Sequence, residues 1–309
     1  FLPQRYREAA LAHGQQHPDG MPALPEWDAG AALAMMDDVG IAVAVLSLSS
    51  PGVAFLPPDE RAALARAVND DGAATVADHP DRFGLMATLP LPDVEAARAE
   101  LARAFDELGA DGVGLHTHYD GVYLGDPRLD PVLADLDARG ALVTIHPVSP
   151  CGWEGVALGR PRPLVEFLFD TTRAVINLAL TGAFTRFPAI RWVVPHSGAA
   201  LSVLVDRVDR IHPAIKAPDA PDVELLAALR GLYFDLAGAP LPRSLGALLQ
   251  VVDPSRLVYG SDFPFTPAPL VRALAADLAA TPLLAGDART AALRDNALAV
   301  LPRLAVRTG

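Results

Sequence analysis

At 309 residues with 51% hydrophobic side chains, the chain can bury a large core, and the expectation is one domain spanning residues 1–309. Its 37 acidic against 25 basic residues give a formal charge of −12, with no basic patch to offset it, which argues against a nucleic acid or an anionic membrane surface as partner. Cys151 is the single cysteine, so no intrachain disulfide can form. No apolar run nears the ~20 residues that span a bilayer, and Phe1-Leu2-Pro3-Gln4-Arg5 lacks a secretory pattern, so the sequence reads as cytoplasmic.

In chain order, the first 25 residues show no strand pattern before a helix that begins near Trp27-Asp28. Seven short apolar, β-rich runs follow: Ile41 to Leu48, Phe83 to Leu89, Gly112 to Thr117, Ala141 to His146, Ile190 to His196, Leu232 to Leu236 and Arg256 to Asp262. Amphipathic stretches separate them. In Asp93 to Leu108, for example, Val94, Ala97, Leu101, Ala104, Phe105 and Leu108 recur at three- and four-residue spacings, which predicts a helix. Strands alternating with helices build a parallel sheet, so the fold class is α/β and the architecture a (β/α)8 barrel. Eight strands close such a barrel, and with seven counted the sequence predicts a first strand missing or truncated before Phe1. The Pro- and Gly-rich segment 147–163 follows a strand end and reads as a loop insertion over the barrel mouth.

Polar residues at strand C-termini carry the functional signal, because barrels of this kind place their chemistry on that face. His146 closes VTIHP, His196 closes WVVPHSG and Asp262 closes VYGSDFP. Any one of them fits a satisfied structural role as well as a functional one. Three at equivalent positions favour a shared site, since imidazoles and a carboxylate converging on one point suit a zinc-like divalent ion. His116 and His118 form a His-x-His pair on one face of their run, turned either into the mouth or toward the helices, with pocket lining or loop hydrogen bonding as the plainer reading. His13, His17, His79 and His212 fall in helical or loop context, although His17-Pro18-Asp19-Gly20 could fold over the mouth. There is no phosphate-binding Gly-rich loop, no Gly-x-Ser-x-Gly and no Cys-x-x-Cys. Cys151 reads as a pocket-lining thiol, with a Cys-His nucleophile as the alternative. From their positions, Ser47 and Ser49 are candidates to bind a substrate oxygen, and Trp153 either closes an aromatic pocket or anchors its own loop.

Several segments together resemble the amidohydrolase-2 family, which includes aminocarboxymuconate-semialdehyde decarboxylase and several aryl-acid decarboxylases. They are Phe-Leu-Pro-x-x-Tyr at Phe1 to Tyr6, Leu46-Ser-Leu-Ser-Ser-Pro-Gly52, Tyr123-Leu-Gly-Asp-Pro-Arg-Leu-Asp-Pro131, Thr144-Ile-His-Pro147, Phe169-Asp-Thr-Thr-Arg-Ala174, Pro195-His-Ser-Gly198 and Tyr259-Gly-Ser-Asp-Phe-Pro264. The second and third look nearest to the 6-methylsalicylate decarboxylase branch. The resemblance implies one divalent metal ion, zinc with manganese as the alternative. His146 and Asp262 would ligate it, together with two further histidines expected before Phe1. It implies His196 and Asp262 as catalytic residues, with His118, Ser47 and Trp153 toward the substrate. The implied function is non-oxidative decarboxylation of a small ortho-hydroxybenzoate, 6-methylsalicylate-like, by a homodimer. The alternatives are a metal-dependent hydrolase of a lactone or amide on the same barrel, and a catalytically silent barrel.

Overall fold

A computed structural model describes residues 1–218 and 220–305; Asp219 and residues 306–309, which fall within the expected 1–309 domain, lie outside the described residues. Seven strands form one sheet in sequential order: β1 (Ala44–Leu46), β2 (Phe83–Thr88), β3 (Gly112–His116), β4 (Leu142–His146), β5 (Arg191–Val194), β6 (Tyr233–Asp235) and β7 (Leu257–Val258). Every neighbouring pair is parallel, with registers such as His116 opposite His146 and Val194 opposite Phe234. The seven apolar runs of the sequence are these seven strands. The ordered ladders are shorter than the runs, most of all at the C-terminal ends, where the chain leaves the sheet after Val194 and Val258.

The principal helices are α1 (Gln4–Ala12), α2 (Ala29–Val39), α3 (Pro58–Asp78), α4 (Val94–Asp106), α5 (Asp130–Ala138), α6 (Glu166–Leu180), α7 (Leu201–Ile215) and α8 (Ala268–Ala280). Their starts follow local chemistry: Asp28 caps α2 by accepting from Ala31 N at 2.8 Å, and Asp93 caps α4 by accepting from Ala96 N at 3.0 Å. Gly40 ends α2 in the left-handed conformation at φ +81°. Helix α1 was not anticipated in the sequence, which marks it with Pro3 before its first turn and with the wholly buried Tyr6 and Ala10.

Alternation along the strands sorts two cores. Leu85, Val113, Val143, Val194 and Phe234 join the large layer beneath the helices, whereas Met86, Leu142, Val193 and Val258 face inward. Val300, Leu301 and Leu304 plug the inward-facing cluster. No helix among the described residues is long and apolar enough to cross a membrane.

Candidate active site

Leu142, Thr144 and His146 alternate along β4 and so share the inward face, which carries the imidazole to the C-terminal mouth. His146 Nδ1 lies 2.7 Å from Pro147 O and 3.4 Å from Ser50 N; the shorter contact, to an atom that only accepts, favours the proton on Nδ1, which leaves the Nε2 lone pair for a ligand. Burial, reinforced by the His196 imidazole, holds His146 well below the usual imidazole range, in the neutral form a metal requires. The two imidazole centroids are 5.9 Å apart.

His196 and Asp262 do not close strands. Each sits past the end of its ladder in left-handed backbone, with φ +55° at both residues. Such conformations cost energy in non-glycine residues and concentrate where a side chain must be aimed. The turn at His196 is fixed by Asp235, whose Oδ1 accepts from His196 N at 2.8 Å and from Ala237 N at 3.0 Å. The turn at Asp262 is fixed by Thr266, whose N donates to Asp262 O at 2.8 Å. Burial raises the Asp262 carboxyl above its ordinary value, and the neighbouring His196 opposes the shift. His196 Nδ1 is buried without a hydrogen-bond partner among the described residues.

His146, His196 and Asp262 line one cavity of about 380 Å³. Its walls are largely apolar, from Met21, Leu164, Phe167, Leu168 and Phe265, with Ser49, Ser50 and Asp19 as polar interruptions. That mixture, apolar walls around a few convergent polar groups, suits a small aromatic molecule with one acidic end. Phe167, buried to 7% exposure, stands edge-on to His146 with centroids 6.1 Å apart.

The remaining predicted site residues fall elsewhere around the mouth. Ser47 lies in a second cavity of about 310 Å³ that shares His146, His196 and Asp262 with the first and extends among Val45, Met86 and Val193. His118 and Trp153 line an adjoining cavity with His116, Cys151 and Arg162. Both His118 ring nitrogens have backbone partners there, Nε2 at 3.1 Å from Ser149 O and Nδ1 accepting from Gly121 N at 3.3 Å. Trp153 stacks under the Arg162 guanidinium at 3.9 Å. His116 packs against the Ser49–Gly52 turn so closely that a Cβ at Gly52 would lie 2.1 Å from its Cε1.

Two residues around the site, Asp235 and Asp19, were not singled out individually in the sequence, although the segment that carries Asp19 was expected to be able to fold over the mouth. Asp235 ends β6 and obeys the same strand-end rule that singled out His146, so that rule could have found it. Asp19, on the turn of the His17-Pro18-Asp19-Gly20 segment, is a wall residue of the main cavity and had no periodic signal.

His146 and Asp262 offer a nitrogen and an oxygen donor suited to a divalent ion. Among the described residues, no group of three or more His, Cys, Asp or Glu side chains converges to hold one. The donor set therefore fits part of a metal site.

A family profile described as amidohydrolase matches residues 10–303. The chain belongs to the amidohydrolase family. It is 32% identical over 317 residues to the 6-methylsalicylic acid decarboxylase acuB of Aspergillus aculeatus, covering 98% of this chain and 94% of that protein. A crystal structure of an amidohydrolase II superposes with a TM-score of 0.93 at 38% identity, over 98% of this chain and 97% of the other. A 5-carboxyvanillate decarboxylase of Novosphingobium aromaticivorans, solved with manganese and 4-hydroxy-3-methoxy-5-nitrobenzoic acid, superposes at 0.80 with 25% identity, over 94% and 83% of the two chains. The amidohydrolase fold is thus a (β/α)8-type barrel, and this member is a carboxy-lyase.

Proposed function

We propose that this carboxy-lyase removes carbon dioxide, without oxidation, from a small ortho-hydroxy aromatic acid of the 6-methylsalicylate type, with a divalent metal ion at the barrel mouth. The observation that carries the reading is that His146, His196 and Asp262 all line one apolar-walled cavity of about 380 Å³.

His146, through Nε2, and Asp262 would hold the ion, zinc or manganese; the manganese in the related 5-carboxyvanillate decarboxylase supports a divalent ion. When bound, it supplies Lewis acidity toward the carboxylate and the ortho oxygen of the substrate.

The side chains do the rest. Phe167, Leu168 and Phe265 grip the ring and exclude water, which strengthens every charge interaction at the base of the cavity. Loss of carbon dioxide from an arene leaves an electron pair on the ring carbon, which needs one proton. Asp262, which lines the same cavity, would deliver that proton. His196 stands beside both His146 and Asp262 and stabilises the carboxylate that remains. Asp235 holds the His196 turn and acts on the chemistry only through it.

The test is a screen of hydroxybenzoates with the zinc- and manganese-loaded protein, following carbon dioxide and the decarboxylated arene. Stoichiometric release supports the reading; a ring-opened or hydrolysed product without carbon dioxide contradicts it. The same reading has the enzyme as a homodimer, supported by Val156, Leu158 and Leu164, which are 58%, 84% and 66% exposed near the mouth. Light scattering that returns a monomer at micromolar concentration contradicts that part.

A further inference from the structure

Asp19 is the fourth ionisable side chain of the main cavity, after His146, His196 and Asp262, and the reaction leaves it unused. It sits on the Pro18–Gly20 turn in left-handed backbone at φ +55°, only 8% exposed. Its carboxylate clasps two loops, accepting from Ser50 Oγ at 2.6 Å and from Ser149 Oγ at 2.5 Å. A carboxylate offers about four acceptor positions, so two hydroxyl donors leave about half of that capacity free.

Arg162 lies close enough to be attracted to Asp19, yet it is committed elsewhere. Its Nε donates to Ser149 Oγ at 2.9 Å and its guanidinium lies 3.9 Å over the Trp153 ring, in the adjoining cavity that Asp19 also borders. Asp19 stands between the two cavities and is a polar wall residue of the main one, whose other walls are mostly apolar.

We propose that Asp19 is a specificity-determining residue, which accepts a hydrogen bond from a second ring hydroxyl of the aromatic acid and turns away acids that carry a second carboxylate there. The proposal rests on the aromatic-acid reading above. A donor facing a partly desolvated carboxylate gains a charge-assisted hydrogen bond, whereas a second carboxylate at that distance meets a like charge.

Binding calorimetry on the purified protein tests this with acids matched at one ring position: 2,5-dihydroxybenzoate against 4-hydroxyisophthalate, and 2,4-dihydroxybenzoate against 2-hydroxyterephthalate. The native protein is expected to bind the dihydroxy member of at least one pair about tenfold or more tightly, the scale of one charge-assisted contact replaced by repulsion. Asp19→Asn keeps the side-chain shape and should shrink that ratio by about tenfold, through gained affinity for the diacid. Ser149→Ala loosens the clasp but keeps the charge, and should keep the ratio.

Equal binding of both members by the native protein overturns the proposal. So does a ratio that Asp19→Asn leaves unchanged, or that Ser149→Ala collapses equally, since Asp19 would then be a clasp alone. Because binding is read without turnover, a ratio that shifts while no acid loses carbon dioxide supports the role of Asp19 and sinks the decarboxylase reading. Carbon dioxide release with an unmoved ratio does the reverse, and failure to bind any of the four acids sinks both.

Discussion

The backbone N–H of His196 donates to Asp235 Oδ1 at 2.8 Å, so a carboxylate at the end of β6 fixes the left-handed turn that presents an imidazole beyond β5. Ala237 N donates to the same oxygen at 3.0 Å. Asp235→Ala leaves both donors without this acceptor and is expected to cost about 2 to 4 kcal/mol of stability, with a loss of kcat as the imidazole drifts. Asp235→Asn retains an acceptor and should cost less. Denaturant unfolding and initial rates on the two variants check this; an Asp235→Ala protein as stable and active as the native one contradicts it.

His116 and Gly52 form a second such pair. Burial pushes the His116 imidazole down to about 4, although contacts with the Leu48 and Ser49 backbone oppose the shift. Between pH 6.5 and about 4 the unfolded chain takes up a proton that the native ring refuses. Stability is therefore intact above this window and falls as pH drops through it, by up to about 3 kcal/mol. His116→Gln should flatten that acid limb in urea titrations run from pH 7 to 4. Gly52→Ala places a Cβ 2.1 Å from His116 Cε1 at a φ of +61° and is expected to cost about 2 to 3 kcal/mol.

Burial acts on Asp262 in the opposite direction. Its raised pKa means that, as pH rises from 3.8, the unfolded chain ionises before the native one does. Native stability contributed by this group is present at low pH and lost as pH rises through the raised value. Asp262→Asn is thus expected to raise the melting temperature of the metal-free protein at neutral pH while abolishing turnover. A lower melting temperature in the variant contradicts this.

Phe167 forms much of the apolar wall beside His146. Phe167→Ala should cost about 3 kcal/mol in stability. It should also raise KM for an aromatic acid about tenfold, since a buried aromatic contact of this kind contributes roughly 0.5 to 1.5 kcal/mol beyond area burial. A KM unchanged from the native value would show that the ring binds elsewhere.

The seven strands were legible because a parallel sheet covered on both faces leaves near-continuous apolar runs, and β2 is buried at every position from Phe83 to Thr88. His146 was legible for the same reason, as a polar residue ending such a run. The placement of His196 and Asp262 was legible only in part. Their identity stood out, but not the left-handed turns that carry them beyond the ladder, since one depends on Asp235 from the neighbouring strand and the other on a local backbone bond from Thr266. Asp19 was hidden because its role comes from Ser50 and Ser149, one 31 and the other 130 residues away in the chain. The separation of His118 from the main cavity was equally hidden, because its partner Ser149 arrives on another loop.

The most direct test of the central claim is metal content measured together with carbon dioxide release from a hydroxybenzoate, on the native protein and on His146→Ala. Near-stoichiometric zinc or manganese in the native protein, with metal and turnover falling together in the variant, is the predicted result. Carbon dioxide release that persists in metal-free protein, or that survives the loss of His146, would contradict it.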